Sequence, residues 1–129
     1  MALDMIYQAD VTGTRPSEVL AEWQAQGREI DPFTADLVGG VERVLPELDR
    51  VIGERAEGWT VSRMPAVDRA ILRLACYELL HGVEVPTSVA ISEAVVAAKE
   101  LSTEDSSGFV NGVLGRIARE KAAADGPRP

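Results

Sequence analysis

One cysteine, Cys76, and one histidine, His81, are all that this chain of 129 residues contains of either type, and that scarcity closes several routes to function. A lone thiol forms no internal disulfide, and one Cys with one His assembles neither a standard zinc site nor an HExxH metal helix. Cys76 stands between Ala75 and Tyr77 in an apolar run, where a buried, inert thiol is expected. No GxSxG elbow accompanies the Ser, His and Asp residues, and His81 falls at an expected helix end, as an ordinary terminal cation or surface residue. No glycine-rich phosphate loop follows a strand, because no strand is expected. Acids such as Glu93 and Glu100 show no sign of the shared pocket that general acid and base chemistry needs. No run approaches the roughly 18 apolar residues that span a bilayer, and no signal peptide is recognisable ahead of the first helix. The expectation is a cytoplasmic protein that is not an enzyme and needs no cofactor or metal.

Aromatic residues are few as well, while Ala, Val and Leu are plentiful. That balance suits helices packed through small aliphatic side chains better than a sandwich of strands. Basic residues are outnumbered, for a net charge of -8, which argues against binding nucleic acid through bulk electrostatics. The deficit is uneven, with 12 acidic against 6 basic residues through Arg63, then 9 against 7 beyond it. Arg116, Arg119 and Lys121 form the one tight basic cluster, placed either to meet an anion or to complement a helix C-terminus.

The apolar spacing reads as seven helices in one compact domain over residues 1–124, followed by a disordered tail at 125–129. Leu3, Ile6 and Tyr7 mark the first, which starts without a capping residue. Pro16 opens the second, and Asp31 with Pro32 caps and opens the third. Gly39 and Gly40 inside that third helix signal a close crossing or a bend. Pro46 restarts a fourth helix that ends near Arg55. Pro65 opens the longest convincing one, with Val67, Ile71, Leu74, Ala75 and Leu79 as its buried stripe and Arg69, Arg73 and Tyr77 along a neighbouring face. Pro86 starts the sixth, and Ser102 caps the seventh, with Asp105 placed to reach back to the cap.

Three polar features within these helices carry a possible function. Gly108, Gly112 and Gly115 fall at i, i+4 and i+7 of the last helix, an expensive choice that makes sense if another backbone or a ligand comes close. Asn111 in their midst either ties the helix to a neighbouring backbone or is presented to RNA. Arg69, Arg73 and Tyr77 can grip an anion or stack on a base, whereas internal salt bridging is the reading taken for Arg73, flanked by Leu72 and Leu74. Glu78 is either a solvated charge or a specificity contact in a protein interface.

VDRAILRLACYELL at 67–80, VPTSVAISEAVVAAKELS at 85–102 and EDSSGFVNGVL at 104–114 together resemble the NusB family of bacterial transcription antitermination factors. The detailed likeness covers residues 59–118, and LVGGV at 37–41 agrees more loosely. The resemblance implies two packed helical bundles, pairing with the small-subunit ribosomal protein NusE, and joint binding of boxA RNA in nascent ribosomal transcripts. Through that complex it implies indirect contact with other Nus factors and RNA polymerase. By position it places Tyr7, Asn111 and Arg116, with Arg119 of the basic cluster, on the RNA side, and Arg73, Tyr77 and Glu78 on the helix facing the ribosomal protein. One departure stands out: the family's leading arginine-rich segment has no counterpart, since no Lys or Arg occurs between Met1 and Arg15. Either the true start lies upstream, or phosphate contacts are lost and RNA affinity falls by orders of magnitude at moderate salt. The alternatives are a homodimeric helical protein with reduced RNA binding and a detached domain of a ribosomal RNA cytosine methyltransferase.

Overall fold

A computed structural model describes residues 1–82 and 84–125, so the expected tail lies, beyond Asp125, outside the described residues. Seven α-helices and one 3-10 turn are present among them, and no strand. The helices are α1 (Ala2–Thr12), α2 (Pro16–Ala25), α3 (Pro32–Arg43), α4 (Leu45–Arg55), α5 (Ala66–His81), α6 (Thr87–Leu101) and α7 (Glu104–Ala124).

Local chemistry accounts for most of the boundaries. Gly13 closes α1 with φ 72°, the left-handed conformation that an L side chain resists, and its N–H donates to the Ala9 carbonyl. Proline at the start of α2 and α3 supplies a helical φ where a missing N–H costs nothing. The Asp31 carboxylate caps α3 by accepting from the Thr34 N–H at 2.8 Å and from the Thr34 hydroxyl at 2.9 Å, and these Thr34 bonds hold its carboxyl below the usual range. The start of α2 borrows its cap from α3, since Glu42 accepts from both the N–H and the hydroxyl of Ser17. At α7 the expected cap moves by one residue. Thr103, not Ser102, accepts from the Ser106 N–H at 3.2 Å, and Asp105 takes no part in that bond. Ser102 instead pairs its hydroxyl with that of Ser106.

Two apolar cores divide the molecule. Ala2, Met5, Ala9, Val19 and Val38 close the first between α1, α2 and α3. The second is larger and runs from Ile6 and Val41 through Leu48, Ile52, Leu72 and Cys76 to Val110, Leu114 and Ile117. Helix α5 is central, packing against α1, α3, α4, α6 and α7. This explains why its burial exceeds the expected stripe. Asp68, Ala70, Leu72, Cys76 and Glu78 are buried beside Ile71, Ala75 and Leu79, while Val67 and Leu74 are only partly covered.

Four charges tie α5 to the helices around it. Arg73 grips Asp49 of α4 with two parallel bonds of 2.8 Å and reaches Asp10 of α1 at 3.4 Å. Arg69 donates to the same Asp10 from its Nε at 2.9 Å and to the carbonyls of Val61 and Met64. Burial opposes the Arg73 charge, yet the Asp49 bonds and the two negative charges together hold its pKa above the ordinary value. Nearby, burial pushes the Cys76 thiol up to about 12, so it stays protonated and inert.

Candidate functional site

The polar residues singled out by sequence collect at the two ends of α5. At its N-terminal end lies a chain of shallow hollows. Tyr7 is 39% exposed and lines the first with Leu3, Asp4, Val67, Ala70 and Leu101. Trp59 and Phe109 line the second with Met64, Pro65 and Asp68. Their ring centroids are 6.4 Å apart and tilted by 59°, and Trp59 stays 49% exposed. Asp68, only 3% exposed, accepts from the Ser106 hydroxyl at 2.8 Å through Oδ2. Its Oδ1 has no hydrogen-bond partner among the described residues.

Helix α7 continues this surface with an uncovered face. A side chain added at Gly108 or Gly112 would meet nothing within 4 Å. No second backbone of the described chain therefore lies against the glycine stripe, which leaves bare helix backbone open to a ligand. Asn111 is exposed and its side chain makes no hydrogen bond among the described residues, so of its two readings the tie to a neighbouring backbone is not formed. The basic cluster behaves unevenly. Arg116 donates to the Arg55 carbonyl at 3.1 Å and to Glu57 at 3.3 Å, anchoring α7 to the end of α4. Lys121 pairs with Asp125 at 2.9 Å. Arg119 is exposed and has no ion-pair partner among the described residues.

At the other end of α5, Tyr77 and Glu78 come together and Arg73 does not join them. All the donor nitrogens of Arg73 face Asp10 and Asp49, so it is the internal brace that its apolar flanks suggest, and not the free partner contact that the family resemblance implies. Tyr77 lies across α3 at Gly40, where an added Cβ would sit 2.1 Å from the phenol oxygen, and its ring meets His81 at 5.5 Å. The expected close crossing at the glycine pair is therefore made by Gly40, while Gly39 faces open space. Gly40→Ala is expected to cost about 1–3 kcal/mol by overpacking, read by thermal unfolding. The penalty should shrink in a Tyr77→Leu background; an equal loss in both would mean that the ring is not the obstacle.

Glu78 separates two grooves. Phe33, Asp36, Leu37, Tyr77, His81 and Glu84 line one with it. Leu3, Leu74, Ala90, Glu93 and Ala94 line the other. Burial, and then the neighbouring charge of Glu93, push the Glu78 carboxyl up to about 7. His81 closes α5 and pairs with Glu47 of α4 at 2.9 Å.

Sequence reasoning passed over Trp59, Phe109 and Asp68. In the sequence Trp59 simply follows Gly58, and Phe109 is one apolar position among several. An aromatic beside the Gly58 turn, in a chain so short of aromatics, was the available signal. Asp68 looked like any acid in a first helical turn, and nothing local distinguishes it.

Comparison with known proteins gives a consistent picture. The profile of the NusB family matches residues 1–119. The chain is 45% identical to the transcription antitermination protein NusB of Symbiobacterium thermophilum, covering 98% of this chain and 90% of that one. It is 47% identical to the protein of the same name from Salinispora tropica, over 91% and 89% of the two chains. Among solved structures it resembles T. maritima NusB, with TM-score 0.83, 33% identity and coverage of 92% and 86%. It also resembles a structure of the antitermination factors NusB and NusE in complex with dsRNA, with TM-score 0.80, 25% identity and coverage of 92% and 91%.

Proposed function

This chain belongs to the NusB family, and we propose that it is a transcription antitermination factor that pairs with NusE and binds boxA-type RNA of nascent ribosomal transcripts. The observation that carries the RNA half is the uncovered α7 face. Bare backbone at Gly108 and Gly112, the unpaired amide of Asn111 and the Arg119 guanidinium adjoin the exposed Trp59 and the partly buried Phe109. Single-stranded RNA is recognised by this mixture, in which bases stack on aromatic rings, amides read base edges and a few cations meet phosphates. Tyr7 extends the stacking surface, and Arg116 contributes charge from its anchored position. Tyr77 and Glu78 face the ribosomal protein from the opposite end of α5. The solved complex of related NusB with NusE and dsRNA supports both partners.

The role is that of a non-catalytic adaptor working in the cytoplasm, reaching RNA polymerase through the other Nus factors. Among the described residues no helix is long and apolar enough to cross a membrane. Fluorescence anisotropy of a labelled boxA-type RNA, titrated with this chain plus NusE at two salt concentrations, tests the proposal. Tight binding should require both proteins and weaken with salt. Arg119→Ala should lower the salt slope by about 1. Asn111→Ala should weaken RNA binding while shifting stability by less than about 0.5 kcal/mol, as for a surface change. No binding under any of these conditions would refute the RNA assignment.

A further inference from the structure

Acidic groups surround the C-terminal end of α5, and no Lys or Arg among the described residues lies in the grooves there. Asp36, Glu78 and Glu84 line one groove, and Glu78 and Glu93 line the other. The side-chain carboxyls of Glu78 and Glu93 accept no hydrogen bond and form no ion pair among the described residues. Glu78 is the anomaly, because it is only 9% exposed. A carboxylate largely shielded from water and without donors is less stable than a paired one, and an external cation can supply the missing partner. We infer that Glu78 and Glu93 form a socket for one arginine or lysine side chain of the protein partner.

The walls suit such a side chain. Ala75, Ala90, Ala94 and Ala97 form a floor of small residues between Leu3 and Leu74, on which the methylene stem of a long cation can lie while its head meets the acids. This socket rests on the proposed pairing with NusE and specifies its chemistry. It also makes the pairing sensitive to pH. The groups facing Glu78 are Glu93 from α6, Asp36 from α3, Glu84 after α5, and His81 from α5 itself, the last turned toward Glu47; α1 contributes only the apolar Leu3. With its carboxyl pushed up to about 7, Glu78 is largely protonated at pH 6. A docking cation draws that proton off to the buffer. Since the ionised form alone accepts the cation, affinity should rise about tenfold between pH 6 and pH 8.

Calorimetric titration with NusE at both pH values, each in two buffers of different ionisation heat, tests this. The expected result is tenfold tighter binding at pH 8 with proton release at pH 6. Glu78→Gln should bind more weakly at pH 8 and lose the part of the pH dependence that it carries, since titrating groups on NusE contribute equally to both proteins. Glu93→Gln should also weaken binding, whereas Glu100→Gln, on the same helix outside the groove, should not. Equal affinity and equal pH dependence in the wild type and Glu78→Gln would overturn the socket and leave the pairing intact. Absence of NusE binding at either pH would overturn the pairing and the socket with it.

Discussion

Arg73→Ala is expected to lower the free energy of unfolding by about 3 kcal/mol, among the largest effects of any single polar substitution here, because breaking a covered ion pair strands its partners. The Arg73 side chain carries two 2.8 Å bonds to Asp49 and a longer one to Asp10, and it links α5 to α4 and α1 at once. Without it Asp49 loses both bonds, while Asp10 keeps Arg69. Urea unfolding gives the number directly from the midpoint at unchanged slope. The double variant Arg73→Ala with Asp49→Ala should lose less than the two single losses added, since the second deletion removes the stranded charge. Strict additivity would mean that the pair is too well hydrated to matter.

Glu78→Gln should have the opposite sign. A carboxyl whose pKa is raised on folding stabilises the protein relative to its ionised reference only while it stays protonated. That contribution is complete below the ordinary glutamate value of 4.5 and is lost as pH rises through about 7. The isolated wild type therefore loses up to about 3 kcal/mol across that window, at 1.36 kcal/mol per pKa unit. The amide variant, which does not ionise, escapes this loss. The two proteins should show their smallest difference at or below pH 4.5, and the variant should gain up to about pH 7 and level off above it. A pH-independent difference would place the Glu78 carboxylate in water.

Much of the architecture was legible because punctuation is strong in this chain. Pro16, Pro32, Pro65 and Pro86 stand at helix starts or caps, and Gly13 closes the first helix in a left-handed turn. The division into two bundles came from the family likeness, and the two separate cores agree with it. Tertiary competition erased other signals. Ser102, Thr103 and Asp105 are all plausible around a helix start, and the choice of Thr103 depends on Ser106 being drawn toward Asp68 of another helix. Asparagine is unfavourable inside a helix whether it ties to a neighbour or faces outward, and only the packing shows Asn111 exposed. The apolar flanks of Arg73 do point to internal bridging, but its partners Asp10 and Asp49 are remote in sequence and close only after folding. Asp68 with its unpaired oxygen has no periodicity or motif to announce it.

Helix α5 also acts as a ruler. Asp68 near its start and Glu78 near its end are separated by ten residues, about 15 Å along the axis at 1.5 Å per residue. Because packing holds this helix against five others, the separation and the relative phase of the two faces are set by residue count alone. One residue inserted between them would rotate one face against the other by about 100° and lengthen the spacing by about 1.5 Å. Side chains at either end can change freely, but the stretch between them tolerates neither gain nor loss, so whatever bridges the two faces meets a gauge of constant length.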